Sequence, residues 1–346
     1  VIQITVKRLT KIILFLIVIA AIAIGTAFIY IQSMVKQPIQ LATSEQLFVV
    51  ERGMGMAALS DRIEQEKLFK YSYGLPLLIR LEPDLRHIKA GTYRLRNDMT
   101  LRDFLLLLNS GKEVQLSVQF IEGSKAKDWL KKLQTLPLLA LELDPQLSFN
   151  QLAEKLGIES GNIEGWFYPD TYYYTPNSTD IAILKRAYQR MSNELQAVWQ
   201  DREANLPYRS AYELLIMASI IEKETAVDSE RNLVASVFIN RLNRNMKLQT
   251  DPTVIYGIGD RYDGRIRRRD LQDNNAYNTY IISGLPPTPI AMPSRASLFA
   301  AAHPAQSEYL YFVADGQGGH VFSKNLNEHN QAVKAYLENK RKQSSN

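Results

Sequence analysis

Between Leu214 and Thr225 the chain reads LLIMASIIEKET, an apolar run that ends directly in charged residues and favours a helix. At about 100° per residue, Leu214, Leu215, Ala218, Ile221 and Thr225 fall within about 60° of one direction, and Glu222 lies about 40° from its centre. One carboxyl group is therefore predicted on the apolar side of the helix. Lys223 and Glu224 turn away from it, as solvated or ion-paired charges near a helix end do. Ile216 and Ile220 point elsewhere again, so the helix is expected to be covered on much of its surface. Desolvation disfavours a carboxylate, and this is how a Glu serves as a general acid near neutral pH. Glycosidic cleavage needs such a proton donor. A Glu salt-bridged to an Arg of another segment satisfies the same geometry, and periodicity alone does not choose between the two.

Three polar and aromatic clusters follow: LQTDPTVIYG (Leu248 to Gly257), AYNTYIISGLPP (Ala276 to Pro287) and the region from Phe312 to Phe322, all read as loop-like. EGWFYPDTYYYT (Glu164 to Thr175) lies upstream with the same character. Aromatic faces pack on the apolar faces of sugars, while Asn, Gln, Asp and Thr hydrogen-bond hydroxyl and acetamido groups. Taken singly, each cluster also reads as a turn with a structural role.

Other chemistries leave fewer traces. The four histidines show no His-Glu-x-x-His spacing and there is no cysteine, so neither a zinc site nor a thiol nucleophile is expected. No Gly-x-Ser-x-Gly elbow and no phosphate-binding glycine loop occur. Ser124 to Lys127 fits Ser-x-x-Lys, the nucleophile pair of penicillin-binding proteins, without a Lys-Thr-Gly partner.

The elements that position these groups begin with Ile12 to Ile31, twenty uncharged residues, long enough to span a hydrocarbon core of about 30 Å as a helix. Lys7, Arg8 and Lys11 precede it, which places residues 1–11 in the cytoplasm and sends the remainder outward. A polar spacer is expected over residues 32–46 and a first α+β unit over 47–119. In that unit a short strand leads into a helix with Leu59, Ile63 and Leu68 inward, GTYRL forms a second strand, and Thr100 with Asp103 caps a helix that Gly111 ends. Val114, Leu116, Val118 and Phe120 alternate with polar residues as a half-buried strand does. Weak helical patterns follow to Glu164, and a stronger helix runs from Thr179 or Asp180 to Asp201 with Ile181, Leu184, Tyr188, Met191, Leu195 and Val198 on one face. Residues 120–340 form the larger α+β unit and 341–346 a frayed tail. Charged residues at 22% and a net charge of +5 give no sign of a nucleic-acid partner.

Taken together, ASIIEKET, VASVFINRL (Val234 to Leu242), LQTDPTVIYG, AYNTYIISGLPP and AAHPAQSEYLYFVADGQGGHVFS (Ala301 to Ser323) resemble the MltG (YceG-like) family of endolytic murein transglycosylases. EGWFYPDTY and EPDLRHIKAGTYRL (Glu82 to Leu95) extend the resemblance over essentially the whole chain. It implies an α+β architecture with a single-pass anchor in the bacterial inner membrane, a LysM-like subdomain over 47–119 and a periplasmic catalytic domain over 120–340. The first Glu of the family's EKET signature is its catalytic residue, which falls here on Glu222. The implied reaction cleaves the β-1,4 bond between N-acetylmuramic acid and N-acetylglucosamine without water, leaving 1,6-anhydromuramyl ends, and no metal or other cofactor is expected. By the same resemblance Tyr168, Gln249, Thr253, Tyr256, Tyr277, Asn278 and Tyr280 line the glycan groove, while Asp170, Glu224 and Asp251 orient substrate or support the cationic sugar. Where the family has Pro-Gly after the GLPP segment, this chain has Pro293-Ser294. Peptidoglycan strands are the implied partner, with peptidoglycan synthases (penicillin-binding proteins) beside them. A membrane-tethered scaffold that binds peptidoglycan without cutting it is the competing reading.

Overall fold

In the computed structural model, which describes residues 2–70 and 75–344, the chain opens with one long helix, α1 (Ile2–Val35). Residues 8–35 of it are long and apolar enough to cross a membrane. The chain then divides into two units, 1–116 and 117–346.

In the first unit β1 (Glu45–Val50) pairs antiparallel with β2 (Gly91–Arg96), Phe48 opposite Tyr93. The helices α2 (Met56–Gln65), α3 (Leu75–Leu81) and α4 (Leu101–Ser110) complete it. Leu59, Ile63 and Leu68 are buried with Phe48, Tyr93 and Phe104, as the spacing of the apolar residues predicts. Thr100 and Asp103 form a reciprocal cap on α4, the Asp103 amide donating to the Thr100 hydroxyl at 3.2 Å and the Thr100 amide to the Asp103 carboxylate at 2.9 Å. Gly111 ends α4 in the left-handed region, at φ 69°.

The predicted spacer over 32–46 is a correction. Ile31, Met34 and Val35 recur at three- and four-residue steps, so the last turn of α1 buries one face in this unit's core, and Ile39 follows it inward. Backbone bonds fasten the segment: Ile39 donates to Met99 at 2.9 Å, Gln40 to Leu68 at 2.8 Å, and Leu101 to Gln37 at 3.2 Å. The apolar helix therefore enters the folded unit without a flexible tether.

The predicted boundary at 119 moves as well. β3 (Leu116–Gln119) pairs with β4 (Thr171–Tyr174), and the division of the chain falls at 116. Between these strands lie α5 (Ala126–Leu133) and α6 (Phe149–Leu156). Next come α7 (Asp180–Asp201), α8 (Ala211–Glu224), α9 (Asp228–Asn243), α10 (Asp251–Ile258) and α11 (Arg295–Ala302), then a hairpin of β5 (Tyr311–Ala314) with β6 (His320–Ser323), and α12 (Leu326–Ser344). The cluster from Phe312 to Phe322 is thus a hairpin, and most of the cluster from Leu248 to Gly257 is helix. The tail predicted to fray from 341 stays helical through Ser344, as its Lys, Arg and Gln permit, while 345 and 346 lie outside the described residues.

Helix α8 is the axis of this unit. Leu214 to Ile221 are all buried, enclosed by α7, α9 and α11. On α7 the inward face is Ile183, Leu184, Ala187, Met191, Leu195 and Val198, so Ile183 and Ala187 take the places predicted for Ile181 and Tyr188.

A buried carboxyl braces the unit near its second strand. Glu164, 1% exposed, accepts the Ala126 amide at the start of α5 at 2.9 Å and the Tyr256 hydroxyl of α10 at 3.0 Å. Burial raises its pKa from the usual 4.5 to about 7, against the lowering effect of those two donors and of Lys125. The next residue, Gly165 at φ 81°, has Pro289 where a side chain would stand, 2.4 Å from the position of a Cβ. A folded-state pKa above the unfolded value means that folding favours the protonated acid. This contribution is complete below about pH 4.5 and is lost as pH rises through about 7. Relative to Glu164→Gln, the native protein should lose roughly 3 kcal/mol of stability across that window, read as the difference between two pH series of urea unfolding curves.

Candidate functional site

Glu222 stands in the last turn of α8, half-buried, with its carboxylate against the first turn of α11. One oxygen, Oε2, accepts three hydrogen bonds: from the Ser294 amide at 2.9 Å, the Ser294 hydroxyl at 2.5 Å and the Ser297 hydroxyl at 2.6 Å. Ser294 is also the N-cap of α11, its hydroxyl accepting the Ser297 amide at 3.2 Å. The positive end of the α11 dipole thus faces the carboxylate. Oε1 has no hydrogen-bond partner among the described residues. A carboxylate with one oxygen fixed and the other open is oriented for proton exchange with a ligand.

The surroundings of Glu222 are hydroxyls and an amide rather than the hydrocarbon its place on the helical wheel suggested, and among the described residues no Arg pairs with it. The wheel gives the direction of a side chain, and α11 supplies polar groups in that direction. The opposite wall comes from the loop before α5. Gly123, at φ 71°, donates its amide to Met292 at 2.8 Å, and its carbonyl accepts Lys223 Nζ at 3.0 Å. A Cβ at Gly123 would lie 3.8 Å from Glu222 Cγ, an ordinary contact, so it is the positive φ of this turn rather than crowding that favours glycine here.

Glu224 departs from the solvated charge that was predicted. It borders a cavity of about 360 Å³, with Arg241, Gln249, Asp251, Tyr280 and His329 also in its lining. The Thr250 hydroxyl donates to Glu224, and the Tyr280 hydroxyl donates to Asp251 at 2.7 Å. Burial, reinforced by the Asp251 charge, brings the Glu224 carboxyl to about 7 against the opposing effects of Thr250 and His320. Gln249 is held at φ 52°, a conformation uncommon outside glycine, and donates its amide to Thr279 at 3.1 Å.

The structure sorts the remaining candidates. Thr253 and Asn278 are 0% and 1% exposed, with their polar atoms used internally, Thr253 on Thr250 and Thr279, Asn278 on Asp270, Asp273 and Tyr280. Both are corrections: they brace the loops and do not face a groove. Tyr256 and Tyr277 pack with ring centroids 4.8 Å apart, their hydroxyls on Glu164 and Thr288. Tyr168 belongs to the core around α8, under the Arg190 guanidinium at 4.6 Å, and Arg190 is ion-paired with Asp170. Neither is brought into the cavity beside Glu224. The Ser-x-x-Lys pair is dismantled. The Ser124 hydroxyl donates to Ile121 and accepts the Trp129 indole N–H at 2.7 Å, while Lys127 is ion-paired with Asp260. Ser297 and His329 carried no motif signal of their own, and Arg241 lay within VASVFINRL without a role being read for it. Ser294 carried one, as the departure from the family's glycine.

The model of the YceG-like family matches residues 48–335. An endolytic murein transglycosylase of Bacillus subtilis (strain 168) is 29% identical over 334 residues, covering 92% of each chain. A protein of the same name from Streptococcus pneumoniae (serotype 2, strain D39) is 25% identical over 365 residues, which take in 94% of this chain and 65% of that one. A 2.6 Å crystal structure of a YceG-like protein from Listeria monocytogenes aligns with 83% of this chain and 98% of its own at 27% identity, with a TM-score of 0.49. With the family model spanning most of its length, this chain belongs to the YceG-like family.

Proposed function

We propose that this chain is an endolytic peptidoglycan lytic transglycosylase with Glu222 as its single acid and base. The observation that carries the reading is the asymmetric hold on the Glu222 carboxyl, Oε2 bound by three donors and Oε1 open. The name shared by the Bacillus and Streptococcus relatives supplies the reaction class.

In this reading Oε1 carries the proton. It passes to the glycosidic oxygen as the bond from that oxygen to the muramyl anomeric carbon breaks, and an oxocarbenium-like sugar develops. The Ser294 and Ser297 donors stabilise the carboxylate formed at that moment. Oε1 then takes the proton of the muramyl 6-hydroxyl as that oxygen attacks the anomeric carbon, closing the 1,6-anhydro ring. One bond to the anomeric carbon replaces another, the proton returns to Glu222, and no water is consumed. The nucleophile belongs to the substrate, so no second carboxylate at hydrolase spacing is needed. Glu224, Gln249, Asp251 and Tyr280 line the adjoining cavity and form a polar wall for the strand.

The apolar helix supports a single-pass anchor in the inner membrane with the catalytic unit in the periplasm. Because α1 runs into the first unit without a spacer, that unit sits close to the bilayer surface, where newly made strands emerge. Termination of nascent strands beside peptidoglycan synthases and a LysM-like role for residues 47–116 belong to the same proposal.

Two substitutions test the assignment. Glu222→Gln keeps shape and removes the proton, and should lower strand cleavage roughly a hundred- to ten-thousand-fold while folding and glycan binding persist. Normal cleavage by this variant would remove Glu222 from the mechanism, whereas a wild-type protein that binds strands and leaves no new ends would favour the scaffold reading. Ser294→Gly keeps the backbone donor and removes the hydroxyl, and should slow turnover about tenfold with KM little changed, as one charged hydrogen bond implies.

A further inference from the structure

Arg241, on α9, is only 7% exposed, yet among the described residues no carboxylate is paired with it. Its guanidinium lies 5.1 Å from the Tyr311 ring centroid and donates to the Leu248 carbonyl at 3.1 Å and to Gln249 Oε1 at 2.7 Å. Of its other donors, Nε is buried without a partner. Burial pulls the Arg241 pKa down, with Tyr311 and Tyr280 opposing. A guanidinium enclosed in protein is costly unless an anion and a full set of acceptors meet it.

His329, near the start of α12, stacks on the same tyrosine with ring centroids 5.1 Å apart, and its Nδ1 is likewise buried without a partner. Burial and then the Arg241 charge lower its pKa, which disfavours the imidazolium form. Both residues line the cavity beside Glu224, and Gln249 is exposed at its wall, so solvent and ligand can enter. The carboxyl groups of that cavity are engaged elsewhere: Glu224 with Thr250, Asp251 with Tyr280. The cavity therefore offers a buried cation and two open nitrogens, and among the described residues none of its carboxyl groups is ion-paired with that cation.

We propose that this cavity binds a carboxylate carried by the muramic acid residue, with Arg241 as its recognition group, and that this contact selects which of the two alternating glycosidic bonds reaches Glu222. The inference rests on the proposed function and adds the source of its bond specificity. In a strand of alternating sugars, N-acetylglucosamine has no ionisable group. Muramic acid carries a lactyl ether whose carboxyl is either free or extended into a peptide bearing carboxylates of its own. A cation site held at a fixed place relative to the proton donor can therefore tell the two sugars apart by charge. Glu222 and Glu224 both stand in the last turn of α8, separated by about 3 Å of rise and about 200° of rotation, so the proton donor and the cavity lie on different sides of the same helix end.

The test uses the full chain in detergent and three substrates: strands with intact peptides, strands freed of peptide so that the lactyl carboxylate is exposed, and strands whose carboxyls have been converted to methylamides. Wild-type protein should cleave at least one carboxylate form with kcat/KM about tenfold or more above the methylamide. Preference for the peptide-free strand assigns the site to the lactyl carboxylate, and preference for the peptide-bearing strand assigns it to the peptide. Gln249→Glu places a carboxylate on Arg241 from within the protein and keeps the guanidinium satisfied, so the fold should survive, checked by an unchanged melting temperature. That variant should reduce the ratio to near one, chiefly through KM. Equal cleavage of methylamide strands by wild type, or an unchanged ratio in Gln249→Glu, would overturn the proposal. Calorimetric titration with N-acetylmuramic acid separates this from the function itself: binding lost in Gln249→Glu supports the site even in a protein that cuts nothing, and binding that survives the substitution refutes it.

Discussion

Everything at the site depends on the meeting of two helix ends. The last turn of α8 brings Glu222 to the first turn of α11, and three donors from Ser294 and Ser297 settle on one of its two oxygens. Helix α8 is enclosed from Leu214 to Ile221, so its final turn cannot shift without disturbing the core. The first turn of α11 is fixed in turn by its serine cap and by the pairing of Met292 with Gly123 and Ser124. The rigidity of an apolar core is thereby transmitted to one carboxyl group, and a preorganised acid needs no rearrangement at the moment of proton transfer.

Among the described ionisable groups drawn out of water in this unit, Glu164, Glu224 and Arg241 are each accommodated differently. Glu164 is shut between α5 and α10 and folds most readily as the neutral acid. Glu224 lies at a cavity wall with one hydroxyl donor, so its proton is easily exchanged near neutrality. Arg241 cannot shed its charge at any ordinary pH, and carbonyl oxygens with a tyrosine face are what the protein provides for it. Burial of the first serves the fold. The other two face space that a strand can fill.

Much of this was legible in the residue pattern where local rules apply. The cap of Thr100 with Asp103 and the helix from Asp180 to Asp201 follow from spacing and end signals that need no tertiary knowledge. The direction of Glu222 could be read from the wheel, but its surroundings could not, because the donors come from residues more than seventy positions away. Glu224 looked solvated for the same reason: its neighbours Thr250 and Asp251 arrive from another segment. The segment after the apolar helix looked like a spacer because its residues are polar on average, although Ile31, Met34, Val35 and Ile39 form an inward row. Thr253 and Asn278 looked like groove residues because small polar side chains in a motif read alike whether they meet a sugar or a neighbouring loop.

The central claim is that a single carboxyl, held by one oxygen, cuts the strand with the substrate's own hydroxyl as nucleophile. The most direct test is cleavage of purified strands in water enriched in the heavy isotope of oxygen, with the new ends read by mass spectrometry. The account predicts anhydromuramyl ends at internal cuts with no heavy oxygen in them. Reducing ends that carry the label would show that water is the nucleophile, and would contradict it.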